Sequence, residues 1–135
     1  MSDVNLKKNI VEEIDEMVKK IKEARENNEE YKSRVENLVL YSLDNGEYQK
    51  VTDAIESLGL SSEGDSSLYN NLGVLYIRQN LYEKSIENFE KSIEMGNKNI
   101  GVYINLSRVY LEEKKFNDAI ETLEKAKNIY ENKRN

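Results

Sequence analysis

Side-chain catalysis and metal binding draw mostly on histidine, cysteine and carboxylates that converge on one point. This chain of 135 residues contains no histidine and no cysteine. The commonest general base, the thiolate nucleophile, the disulfide framework and the usual zinc ligands are therefore all missing. Carboxylates are plentiful, and some stand side by side, as in Glu12-Glu13 and Glu112-Glu113. Adjacent residues on a helix point in different directions, so such pairs cannot share a proton or a metal ion. The chain also has no glycine-rich phosphate loop, no nucleophile elbow and no metal-ligand spacing. The expectation is a protein that is not an enzyme and carries no cofactor and no metal.

With chemistry set aside, the elements come into view. The chain has no proline and six glycines, with 38% hydrophobic and 34% charged residues. A β-protein of this size needs many turn residues, so the composition favours helices. Residues 1–65 carry 9 Lys+Arg against 16 Asp+Glu, and residues 66–135 carry 11 against 10. An acidic chain repels phosphate backbones, which argues against nucleic acid as a partner. No secretory leader and no membrane-length apolar run is visible, so a soluble, cytoplasmic protein is expected.

The main signal is a repeat. At an offset of 34 residues, Val35, Tyr69 and Tyr103 share a column, as do Leu38, Leu72 and Leu106. The same offset aligns Tyr48, Tyr82 and Phe116, then Val51, Ser85 and Ala119, then Ile55, Phe89 and Leu123, then Leu58, Ser92 and Ala126. In the middle unit Tyr69, Leu72, Gly73 and Tyr76 lie on one face of a helix, and Tyr82, Ser85, Ile86, Phe89, Ser92 and Ile93 on one face of a second. Gly46, Asn80 and Lys114 fall at corresponding turns, with Lys114 the least suited to a left-handed conformation. A loop rich in Gly and Ser spans 59–66, and Ser66 or Ser67 is expected to cap the helix that follows it.

These residues resemble the tetratricopeptide repeat, whose 34-residue helix–turn–helix pattern reads here as Tyr69-x-x-Leu72-Gly73-x-x-Tyr76 … Ser85-x-x-x-Phe89. The third unit keeps it as Tyr103-x-x-Leu106-Ser107-x-x-Tyr110 … Ala119-x-x-x-Leu123, while the first is degenerate, with Ser42 in place of the tyrosine. The resemblance implies an all-α fold, a right-handed α-solenoid of antiparallel helix pairs. Its units would be 32–65 (degenerate), 66–99 and 100–133, within a repeat region of 31–135.

Residues 3–27 give an unbroken helical pattern inside an N-terminal segment, 1–30. Extending the repeat register backwards places Ile14, Met17, Val18, Ile21 and Ala24 at second-helix core positions. That suits a helix capping the first unit. The spacing of Ile10, Val11, Ile14, Met17, Val18 and Ile21 also suits a dimer seam, so capping and homodimerisation both stay open. At the other end, Ala119, Leu123 and Ala126 are expected to pack inward, and the sequence reaches Asn135 directly after the third unit. Ile129 and Tyr130 are therefore expected near an uncapped end that is either solvated or a contact surface.

In the resembling family the first helix of each pair lines a concave groove that holds a peptide or a helix. The groove residues expected on this resemblance are Leu40 and Leu43 in the first unit, Asn70, Asn71, Val74, Ile77 and Arg78 in the second, and Ile104, Asn105, Arg108 and Leu111 in the third. An apolar stripe there would anchor a partner protein or peptide, with Arg78 and Arg108 contacting acidic groups. The alternative is that neighbouring helices already cover it. The carboxylate clamp known in one branch of the family is not expected. Its positions fall on Glu36, Leu40, Asn71, Gly101 and Asn105, and only Asn71 agrees. The reading is a protein–protein interaction module, a scaffold or adaptor. Its alternative is a self-associating structural or small chaperone-like protein that dimerises through the N-terminal helix.

Overall fold

A computed structural model describes residues 3–59 and 64–134, with the side chains of 133 and 134 left aside. The described residues form seven α-helices and no strand. They are α1 (Asp3–Glu23), α2 (Asn28–Asn45), α3 (Tyr48–Ser57), α4 (Ser66–Arg78), α5 (Tyr82–Glu94), α6 (Ile100–Glu112) and α7 (Phe116–Arg134). The chain divides into two compact units, Met1–Leu60 and Ser61–Asn135.

In the first unit α1 packs against α2, and α2 against α3. The helical pattern read over 3–27 stops at Glu23, because Asn27 caps α2 through its side chain, which accepts from the Glu30 N–H at 3.3 Å. Ile14 and Ile21 of α1 are fully buried and Ala24 nearly so. Ile10, Val11, Met17 and Val18 are half-buried, and Val4 and Leu6 stay exposed. Ion pairs from Lys7 to Glu47 (3.6 Å) and from Lys50 to Asp15 (2.8 Å) add to this packing. The guanidinium of Arg25 donates to the Leu58 carbonyl at 3.3 Å, tying the end of α1 to the end of α3.

In the second unit α4 packs on α5, α5 on α6, and α6 on α7. The centre is a cluster of Ile86, Phe89, Val102, Leu106, Val109, Tyr110 and Ala119. Gly73 makes room for the ring of Phe89: a Cβ at that position would lie 2.5 Å from the ring. Buried hydroxyls are paired locally. Ser85 donates to the Tyr82 carbonyl (2.7 Å), Ser107 to Ile104 (2.7 Å) and Thr122 to Asp118 (2.7 Å). Ser92 instead reaches across to the Ser66 carbonyl at 2.6 Å, joining the end of α5 to the start of α4. Lys84 and Lys91 lie over the rings of Tyr76 and Tyr69, at 5.5 and 4.9 Å.

The turns refine the sequence reading. Asn80 (φ 60) and Lys114 (φ 59) both take the left-handed conformation. The next N–H then bonds back five residues, Leu81 to Tyr76 (2.9 Å) and Lys115 to Tyr110 (2.8 Å). This closure satisfies carbonyls that the helix end leaves open. The first unit turns differently, with Gly46 at φ 92 and ψ −153 and the left-handed residue one place later, at Glu47 (φ 57). Neither Ser66 nor Ser67 caps α4. That part is played by Asp65, whose carboxylate accepts from the Leu68 N–H at 2.8 Å. The rest of the loop read at 59–66 falls partly outside the described residues.

Candidate functional site

The residues read as a binding stripe lie on the first helices of the pairs. In the second unit α4 carries Asn70, Asn71, Val74, Ile77 and Arg78, and α6 carries Ile104, Asn105, Arg108 and Leu111. These helices neighbour each other across α5. Their stripe residues fall into two groups. Val74 and Ile77 are partly buried against the central cluster, so they serve the core as well as any groove. Ile104 and Leu111 are 37% and 48% exposed, and Arg78 and Arg108 are exposed as well. Leaving a branched apolar side chain in water forgoes up to about 1.5–3 kcal/mol of burial.

Asn70, Asn71 and Asn105 are half-buried, and the Asn70 Oδ1 is shielded from solvent without a hydrogen-bond donor. In the first unit Leu40 is 43% exposed on α2, next to exposed Glu36 and Asp44, while Leu43 is half-buried.

Sequence reasoning passed over two other features. One is a cleft of about 310 Å³ between α5, α6 and α7, lined by Glu90, Tyr110, Asp118, Glu121 and Lys125 among others. The Tyr110 hydroxyl donates to the Glu90 carboxylate at 2.7 Å. Burial first, and Glu90 second, holds the phenol proton well above its ordinary range. The second is an apolar stripe on α7, where Phe116, Ile120 and Leu123 are 57%, 54% and 44% exposed. Their spacing of 4 and 3 was legible in the sequence, but the repeat register assigned Leu123 to the core.

Among the described residues no group of three or more His, Cys, Asp or Glu is placed to hold a metal ion. No helix among them is long and apolar enough to cross a membrane. Paired helices with exposed apolar residues on their first members define a helical-repeat scaffold of the kind that engages other proteins. The family model of the tetratricopeptide repeat matches residues 66–99 and 100–133, and the chain belongs to that family.

Solved structures agree on the fold. One titled "Crystal structure of MamA" is 18% identical, covers 96% of this chain and 75% of its own, and superposes with a TM-score of 0.69. The "MamA RS-1 ArsTM double mutant" is 15% identical, with coverages of 91% and 69% and a TM-score of 0.70. A MamA fragment, "41-end", from Desulfovibrio magneticus RS-1 is 16% identical, with coverages of 90% and 69% and a TM-score of 0.69. At such identities the likeness concerns the fold alone. No curated protein matches the sequence.

Proposed function

We propose that this protein is a cytoplasmic, non-catalytic adaptor that holds a peptide or amphipathic helix of a partner protein against the first helices of its repeats. Ile104 and Leu111 anchor the partner's apolar residues, while Arg78 and Arg108 select acidic groups beside them. Leu40 and Leu43 do the same on a degenerate first unit, residues 32–65. The observation that supports this reading is the exposure of Ile104 and Leu111 on α6, a helix whose Val102, Leu106 and Val109 are buried. Neither side chain belongs to the central cluster.

The test is capture of partners from the native source, identified by mass spectrometry, with the wild-type chain and with Ile104→Asp/Leu111→Asp. Both positions are exposed, so helicity and melting temperature should hold while the partner is lost. Equal capture by both proteins would refute the groove. Arg78→Glu/Arg108→Glu should weaken capture, and the wild-type interaction should weaken with added salt.

A second reading is favoured by one observation, the exposure of Val4 and Leu6 at the start of α1. In this reading the N-terminal helix mediates self-association. Ile14 and Ile21 are buried in the first unit's own core, so the exposed early turns of α1 support this reading best.

A further inference from the structure

Helices α5 and α7 occupy the same place in successive repeats. On α5, Ile86 and Phe89 are buried in the central cluster, and Tyr82 and Ile93 pack against it. Besides α4, the helix packed against them is α6, through Val102, Leu106 and Val109. One repeat later these four positions are Phe116, Ile120, Leu123 and Lys127. The first three are large, apolar and exposed. The face is therefore the α5–α6 interface continued by one repeat, with the covering helix missing among the described residues.

The one departure specifies the occupant. Lys127 stands where α5 has Ile93, and is exposed. Because α5 ends at Glu94 and α6 begins at Ile100, the last turn of α5 meets the first turn of α6. A helix seated on α7 in the same manner brings its first turn to Lys127, and a carboxylate there would be favoured both by the lysine and by its own helix dipole. The occupant is thus an amphipathic helix with an acid in its first turn and apolar residues four apart just after it.

The chain carries such a helix. In α1, Asp3 lies three residues before Leu6, and Ile10 follows four later, the spacing of Asn99, Val102 and Leu106 at the start of α6. Asp3 and Leu6 are exposed and Ile10 is half-buried. The charges agree as well, since residues 1–65 are strongly acidic and residues 66–135 are not.

We infer that the exposed face of α7 is the acceptor for the start of α1 from a second copy of this chain, Asp3 meeting Lys127 and Leu6 and Ile10 meeting Leu123 and Ile120. The contact is head-to-tail. It leaves one donor and one acceptor free at the ends of every assembly, so assembly is open-ended. This rests on self-association through the N-terminal helix and adds the surface that receives it.

Sedimentation equilibrium on the full chain over a wide concentration range tests it. Wild type should grow in mass beyond a dimer as concentration rises. Leu6→Asp and Ile120→Asp/Leu123→Asp, all at exposed positions, should each be folded by circular dichroism and monomeric. Mixed together they should form a one-to-one heterodimer and stop there, because each keeps one intact surface. Asp3→Lys should weaken assembly about two- to fivefold, the usual range for one exposed ion pair. Adding Lys127→Glu should restore it.

A wild-type chain that is monomeric throughout overturns both the self-association reading and this inference. Loss of assembly in Leu6→Asp with the α7 variant unaffected leaves that reading standing and overturns the α7 acceptor. Assembly lost only in the α7 variant, or a mixture that stays monomeric, overturns the head-to-tail contact.

Discussion

Helices α3, α5 and α7 read the same 34-residue register and bury it in three different ways. In the second unit large aromatic groups face small ones: Tyr69, Tyr76 and Phe89 on one side, Gly73, Ser85 and Ser92 on the other. The first unit inverts the partition. Val35, Ser42 and Ile55 replace the aromatics, while Val39, Val51 and Leu58 replace the small residues. Val39, Ser42 and Val51 are fully buried and Ile55 nearly so. Across α2 and α3 a similar side-chain volume is thus distributed differently, which cores tolerate when the total is kept. On α7 the register holds but Leu123, the counterpart of fully buried Phe89, is 44% exposed. A repeat position is thus a place in the pattern, and its burial depends on whether another helix arrives to cover it.

The largest break in this comparison should come from Phe89→Ala, which should cost about 3–5 kcal/mol in urea unfolding, whereas Leu123→Ala should cost much less. Equal losses would mean that α7 is covered after all. The volume argument is sharpened at Gly73. Gly73→Val should cost about 1–3 kcal/mol by driving a side chain into the Phe89 ring, and Phe89→Leu in that background should recover part of it. At Val39, already large and fully buried, the opposite change Val39→Gly should also destabilise, by leaving a cavity. Asp65→Ala should cost about 1 kcal/mol as α4 loses its cap.

A smaller effect of opposite sign is expected at the turns. Lys114 holds a left-handed φ of 59 with a full side chain. Lys114→Gly should stabilise by up to about 1 kcal/mol, because glycine takes that conformation without steric cost. Gly46→Ala should destabilise, since φ 92 suits only glycine.

The smallest difference concerns pH. The Tyr110 proton is held above the ordinary phenol value, so the native state favours the neutral form. That contribution is complete below about pH 10, the usual phenol pKa, and is lost as pH rises through the higher folded value. Absorbance titrations of wild type and Tyr110→Phe should differ by one tyrosine that ionises only as the protein unfolds.

Much of the fold was legible because its signals are local. Helical spacing, the absence of proline and the aligned columns at Tyr69/Tyr103 and Leu72/Leu106 are properties of neighbouring residues, and a helix is built from neighbours. The candidate stripe was legible only in outline. Val74 and Ile77 follow the same spacing as Ile104 and Leu111, yet the first pair packs on the central cluster and the second does not. Nor did the pattern separate Asp65 from Ser66 as the cap, since either side chain can accept the bond and the backbone at Asp65, extended at ψ 177, makes the choice.

The sequence by itself determined the helices, the repeat and the lack of histidine and cysteine chemistry, because composition and short-range periodicity carry those directly. Tertiary structure alone decided which members of a column are buried. Exposure is set by what packs against a helix from a distant part of the chain, and identical spacing leaves Phe89 in the core and Leu123 in solvent.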